Sequence, residues 1–232
     1  MREQTFFYSE LFASLQGEGS LIGTPSVFFR LSGCNLRCSW CDTPYTSWKP
    51  EGKRIRVSDA AEAILSFGLR HVVITGGEPF LQPEPLAQLC AILHEAGRHL
   101  TIETNGTRFH PVTADLISLS PKLRNSTPTD APASLVRRHE RERLQREVLR
   151  RFFKEHACQV KFVVDRPEDL AEIETLIAQV PIPPETVFLM PQGRTWEELR
   201  PKMEWLAEVC LRRGYRLSPR LQIEIWGDRR GV

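Results

Sequence analysis

An α/β fold built on a parallel sheet is what this sequence predicts, and three observations carry it. Six short runs rich in Val, Ile, Leu, Phe and Thr alternate with stretches of helical spacing. Glycine and proline punctuate the joins, and polar residues gather at the carboxyl ends of the runs. Strands alternating with helices pair in parallel through right-handed crossovers, and such sheets bind ligands at that carboxyl edge. Periodicity does not say whether the sheet curls.

Residues 6–15 are apolar with scattered polar positions, as an extended segment requires, and end in Gln16-Gly17-Glu18-Gly19. Two glycines mark a tight turn and also let backbone approach a flat ligand, so the stretch reads as a plain turn or as a pocket rim. Residues 25–31 are the first strand, which feeds the cysteine-rich loop from Ser32 to Thr43. Helical spacing over 58–67, with Ser58 as N-cap and Gly68 as stop, precedes the second strand, 71–75, and Gly76-Gly77-Glu78-Pro79. Leu86, Leu89, Cys90 and Leu93 stripe a helix from about 85 to 96, which places Cys90 in the core. Residues 100–106 form the third strand with its turn, and 115–120 the fourth, ending in Ser120-Pro121-Lys122.

Residues 159–164 are the fifth strand; Asp165 then caps a helix whose Leu170, Ile173, Leu176 and Ile177 face inward. Residues 186–190 are the sixth. Thr195 and Glu198 form a capping box for a long helix lined by Leu199, Met203, Leu206 and Cys210. Residues 220–227 read as a last strand. One irregular stretch interrupts this order. Residues 125–134 are rich in Ser, Thr and Pro, and residues 135–156 carry eight Arg or Lys and four Glu, with Leu144, Val148 and Phe152 at helical spacing. It reads as a solvated amphipathic helix or as a docking face for an acidic electron donor such as a flavodoxin.

The chain has 232 residues, enough for one large domain, and no linker divides it. Lys+Arg of 31 against Asp+Glu of 29 leaves a formal charge of +2, which calls for neither nucleic acid nor membrane. The N-terminus lacks the apolar core of a signal peptide, and no apolar run is long enough to span a bilayer. A cytoplasmic location follows, where a reducing medium leaves cysteines free for metal chemistry.

Cys34, Cys38 and Cys41 stand as C-x3-C-x2-C, a spacing that turns three thiolates toward a metal or iron–sulfur centre. A structural zinc wants a fourth ligand. Cys90, Cys158 and Cys210 stand alone, and no cysteine or histidine pair supplies it. With Trp40 before the third cysteine and Gly76-Gly77-Glu78-Pro79 after a strand, the chain resembles the radical S-adenosylmethionine enzymes. The resemblance implies a partial barrel of six βα units across 1–232 as a single domain, with a variable charged insert at about 125–156. It implies one 4Fe-4S cluster on the three cysteines, its open iron chelating S-adenosylmethionine.

Further segments are similar to the 7-carboxy-7-deazaguanine synthases of that superfamily: Leu15 to Gly19, Arg30, Cys41-Asp42-Thr43, Thr75 to Pro79, Glu103 to Gly106, Ser120-Pro121-Lys122 and Trp226-Gly227. That family contracts the ring of 6-carboxy-5,6,7,8-tetrahydropterin with loss of ammonia, for queuosine or other deazapurine synthesis. By resemblance, Trp40, Cys41, Asp42, Gly77, Ser120, Pro121 and Lys122 contact the cofactor. Leu15, Gln16, Gly17, Arg30 and Thr75 hold the pterin and its carboxylate, and Thr43 holds Mg²⁺. An arginine fork suits a carboxylate, although an arginine in a strand also serves structural ion pairs. A homodimer is implied as well. Two alternatives stay open on the residues alone: a glycyl-radical activating enzyme, and a non-enzymatic metal-binding module.

Overall fold

Alternation in the apolar runs becomes the two faces of one sheet. The computed structural model describes residues 4–232. The strands are β1 (Thr5–Leu15), β2 (Pro25–Leu31), β3 (Lys53–Arg56), β4 (His71–Gly76), β5 (His99–Thr104), β6 (Leu116–Leu119), β7 (Cys158–Val164), β8 (Val187–Pro191) and β9 (Arg216–Leu217). They hydrogen-bond in the order β3-β1-β2-β4-β5-β6-β7-β8-β9, an open sheet. The six runs read as strands are the parallel series β2, β4, β5, β6, β7 and β8. β1 lies antiparallel to β2 and β3, with a register shift between Tyr8 and Glu10.

Between and after the strands lie α1 (Pro44–Ser47), α2 (Val57–Leu65), α3 (Pro83–Glu95), α4 (Ala133–Glu142), α5 (Arg146–Glu155), α6 (Asp169–Gln179), α7 (Trp196–Arg213) and α8 (Leu221–Trp226). One face of each strand packs in the main core: Val27, Phe29 and Leu31 on β2, Leu100 and Ile102 on β5, Val160, Phe162 and Val164 on β7. The α3 stripe of Leu86, Leu89, Cys90 and Leu93 is fully buried there, each leucine contributing roughly 1.5–3 kcal/mol. Side chains one position along the same strands point the other way and line a cavity: Arg30, Thr75, Glu103, Ser118 and Lys161. The sheet thus curls around a polar interior, an open α/β barrel of the partial (βα)6 kind.

Several local expectations are corrected. The run 220–227 is not a strand: Leu221–Trp226 form helix α8, with Arg220 and Gly227 at its ends. The run's alternation of apolar and polar residues fits either, and tertiary anchors decide: Leu221 N–H bonds the Gly17 carbonyl at 3.0 Å, while Arg220 is held by Glu18 and Asp42. Ser58 is not the N-cap of α2, which starts at Val57; Arg56 stands at the cap and clasps Asp59 with two bonds of 2.7 and 2.8 Å. Asp165 does not cap α6. The Asp169 carboxylate accepts the N–H groups of Asp165 and Arg166, and Asp165 pairs with Lys202 at 2.6 Å. The Thr195 cap forms, but Glu198 reaches back to the Arg194 N–H rather than completing the box.

The charged stretch holds two helices, not one. Arg143 turns inward at the break, buried, and bonds the Lys122 carbonyl at 3.0 Å and Glu172 at 2.6 Å. Its planar donors satisfy a loop carbonyl that a continuous exposed helix would leave behind.

At the amino ends of the strands, His71 is buried between Ser26 Oγ at 2.6 Å and Thr101 Oγ1 at 2.8 Å. Burial, and then His99, push its pKa down to about 4. A depressed folded-state value means the stabilisation is complete above the unfolded-state pKa, about 6.5, and is lost as pH falls toward 4. Denaturant midpoints measured from pH 7 to 4 should therefore fall by the equivalent of roughly 1–2 kcal/mol after discounting for screening, and less in His71→Asn. Equal pH slopes in the two proteins would remove His71 from the account.

Candidate active site

The cysteine loop springs from the carboxyl end of β2, and the three thiols of Cys34, Cys38 and Cys41 all line one cavity of about 340 Å³. That volume is within the usual range of small-molecule sites, about 300–1,000 Å³. All three are free thiols. Burial, with Glu78 adding to it, pushes the Cys34 thiol up to about 11, and burial pushes Cys38 up to about 12. Without a cation to neutralise them these groups stay protonated; a metal centre reverses that. Among the described residues no three Cys, His, Asp or Glu side chains converge on a single ion. Three thiols that each serve a different iron of a cluster need not do so, and the donor set of three thiols on one cavity wall fits a cluster better than a single zinc.

The loop is held from several sides. Trp48 Nε1 bonds the Cys38 carbonyl at 3.0 Å, and Trp40 Nε1 bonds the Asn125 carbonyl at 3.0 Å. Gly76-Gly77-Glu78-Pro79 lies directly against it. A side chain at Gly77 would meet the Gly33 carbonyl oxygen at 2.1 Å, so a glycine is required by close backbone packing between the two loops. Glu78 is fully buried and accepts from the Phe80 and Asn105 N–H groups and from Thr104 Oγ1. Burial nonetheless raises its pKa.

Of the residues expected at the cofactor, Trp40, Cys41, Asp42, Gly77, Ser120 and Lys122 line the cavity, whereas Pro121 is buried and does not. Lys122 Nζ sits 5.5 Å from the Trp40 ring centre and bonds Ser120 Oγ at 2.6 Å. Leu15, Gln16, Gly17, Arg30, Thr75 and Thr43 line it as well. Arg30 Nε bonds Glu10 at 2.7 Å, a carboxylate that also takes Tyr45 OH and Arg230. Thr43 Oγ1 receives the Thr46 hydroxyl at 3.3 Å.

The cavity floor is a network of charges drawn from distant parts of the chain. Lys161, on β7, bridges Glu18 at 2.8 Å and Glu103 at 3.0 Å. Glu103 accepts from Thr75 Oγ1 at 2.8 Å and Gln16 Nε2 at 3.4 Å. Glu18 also takes Gln222 Nε2 at 2.8 Å and Arg220 Nε at 3.3 Å; Arg220 continues to Asp42 at 2.6 Å. Burial works to raise the Glu18 pKa, but Lys161 and Arg220 bring it down to about 2. Burial works to lower that of Lys161, but Glu103 and Glu18 hold it above the ordinary lysine range. Gln16, Gly17 and Glu18 of the Gln16-Gly17-Glu18-Gly19 turn thus line the cavity, and a side chain at Gly17 would collide with Gln222 at 1.7 Å. Glu103 and Lys161 do carry a signal in the sequence: each is the one carboxylate or ammonium inside its strand, at the parity of Arg30 and Thr75.

Three thiols beneath a glycine turn, at the polar mouth of an open α/β barrel, define a radical S-adenosylmethionine protein, and the Radical SAM superfamily profile matches residues 30–154. A 7-carboxy-7-deazaguanine synthase of Rhodopirellula baltica is 46% identical, covering 99% of this chain and 90% of that protein. One of Halobacterium salinarum is 42% identical over 95% and 90%. The crystal structure of QueE from Escherichia coli superposes with a TM-score of 0.69 at 28% identity, covering 94% of each chain. A structure of TYW1 shares the fold, with a TM-score of 0.59 at 16% identity, 79% of this chain and 72% of that one. The chain belongs to the 7-carboxy-7-deazaguanine synthase family of the radical S-adenosylmethionine superfamily. Membership implies a 4Fe-4S cluster and S-adenosylmethionine, and relatives matching nearly end to end disfavour the activating-enzyme and metal-module alternatives. No helix among the described residues is long and apolar enough to cross a membrane.

Proposed function

We propose that the chain converts 6-carboxy-5,6,7,8-tetrahydropterin to 7-carboxy-7-deazaguanine with release of ammonia. The observation that carries this reading is the cavity itself, which joins the three thiols to a buried floor of alternating charge. Cys34, Cys38 and Cys41 would hold the cluster, and Trp40, Asp42, Gly77, Ser120 and Lys122 the S-adenosylmethionine. When bound, these cofactors supply the one-electron chemistry that removes and returns a substrate hydrogen. Arg30, braced through Nε by Glu10, keeps its terminal nitrogens for the substrate carboxylate. Gln16, Thr75 and Glu103 offer donors and acceptors to a pterin edge. Lys161 and Arg220 keep Glu18 ionised, so the floor holds its geometry across the neutral range. Free thiols suit the reducing cytoplasm.

The test is anaerobic reconstitution with iron and sulfide, followed by S-adenosylmethionine, the carboxytetrahydropterin and flavodoxin as an acidic reductant, with mass detection of the deazapurine. Methionine and 5′-deoxyadenosine formed without a deazapurine would place the substrate elsewhere.

Thr43 is assigned to Mg²⁺, a hard ion that favours hydroxyl and carboxylate oxygens and keeps several waters. Thr43→Val preserves shape and removes the oxygen, so initial rates should drop and lose most of their response to added Mg²⁺. Were both proteins to respond alike, Thr43 would only brace Thr46 and its metal role would be dropped.

A further inference from the structure

Two main-chain N–H groups flank Cys38, and the charged stretch beyond β6 takes up both. The Arg37 N–H donates to Nδ1 of His139 on α4 at 3.2 Å. The Ser39 N–H donates to the Ser126 carbonyl at 2.9 Å. His139 and Ser126 are themselves joined, Nε2 to Oγ at 2.9 Å, and Ser126 Oγ goes on to the Leu123 carbonyl at 2.6 Å. A main-chain N–H only donates, so Nδ1 is the acceptor, the proton sits on Nε2, and the bonds run one way from Arg37 to Leu123. Both side chains are buried, 1% and 0% exposed. Glu142, one turn along α4, adds a bond from Asn35 Nδ2 at 3.2 Å, next to Cys34.

We propose that His139 is a positioning residue for the cluster, which with Ser126 fixes the backbone around Cys38 and keeps its two flanking N–H groups from turning toward sulfur. The inference rests on the cluster reading of the three cysteines. Reduction adds negative charge to a cluster, and N–H groups donated to its sulfurs stabilise that charge and raise its potential. With these two donors spent on His139 and on Ser126, the cluster is harder to reduce and a stronger reductant once reduced. Reductive cleavage of a sulfonium needs that strength. The helix that carries His139 thereby acts on the chemistry without touching a substrate, as outer partners of metal ligands do.

The experiment compares the full wild-type chain with His139→Phe and His139→Asn. Asn keeps an acceptor close to where Nδ1 stands, whereas Phe keeps bulk and removes it. In the cluster-free proteins, the Arg37 amide should exchange with solvent roughly fivefold faster or more in the Phe chain, and close to the wild-type rate in the Asn chain. In the reconstituted proteins, the midpoint potential followed by electron paramagnetic resonance should rise in the Phe chain and return in the Asn chain. Equal amide protection and one common potential in all three proteins, at wild-type iron content, overturns the proposal. Absence of iron from the reconstituted wild type would instead strike the cluster reading. Should the Phe chain fail to fold, Ser126→Ala removes the partner of Nε2 and keeps the carbonyl. Faster Arg37 exchange there supports the clamp, and unchanged exchange refutes it.

Discussion

Cys38→Ala is expected to abolish turnover and to lower the iron content of the reconstituted protein, while the fold survives. The Cys38 thiol is nearly buried at the cavity wall, and the loop around it is fixed by bonds from main-chain groups and from Trp48, none of which needs the sulfur. Two remaining thiolates would hold a cluster poorly and leave its open iron misplaced. Cys90→Ala is the control. Cys90 lies in the α3 stripe with no exposure, so its loss should cost about 1 kcal/mol of stability through a small cavity and leave iron unchanged. Full activity with unchanged iron in Cys38→Ala would falsify the cluster assignment.

The second large effect is expected at Lys161. Its side chain is 4% exposed and lies between Glu18 and Glu103, so Lys161→Met strands two carboxylates in the barrel interior. Removing one partner of a buried ion pair typically costs about 3–5 kcal/mol. Glu18 keeps Arg220 and Gln222, whereas among the described residues Glu103 keeps only Thr75 and Gln16, so most of the loss falls on Glu103. The sign with pH follows from Glu18. Its folded-state pKa of about 2 lies below the unfolded value, so its stabilisation is complete above about 4.5 and is lost as pH falls toward 2. In Lys161→Met burial is less opposed, the pKa rises, and protonation relieves the penalty. The stability gap between the two proteins should therefore be widest near pH 7 and shrink below about 4.5. Adding Glu103→Gln to Lys161→Met should recover part of it. An unfolding free energy from urea titration for Lys161→Met within about 0.5 kcal/mol of wild type would show the interior to be wet and the network weak.

The sequence by itself determined the parallel series of strands, because six apolar runs of strand length, most of them closed by glycine or proline, leave a parallel α/β sheet as the consistent reading. It also determined the chemistry of the mouth: C-x3-C-x2-C and Gly76-Gly77-Glu78-Pro79 are local signals, each complete within a few residues, and the three cysteines share one cavity with Gly76 and Gly77. What only the tertiary structure decided is everything that depends on residues distant in the chain. Local patterning could not tell a strand from a helix at 220–227, because the contest is settled by Gly17, Glu18 and Asp42, some two hundred residues away. It could not separate α4 from α5, since the break follows from an arginine reaching across to Lys122 and Glu172. Nor could it find the Glu18–Lys161–Glu103 floor, whose members come from three different segments. Charge inside a strand is visible to local reading. The partner that makes its burial tolerable is not, because ion pairs form through space at separations near 3 Å, and sequence distance carries no information about them.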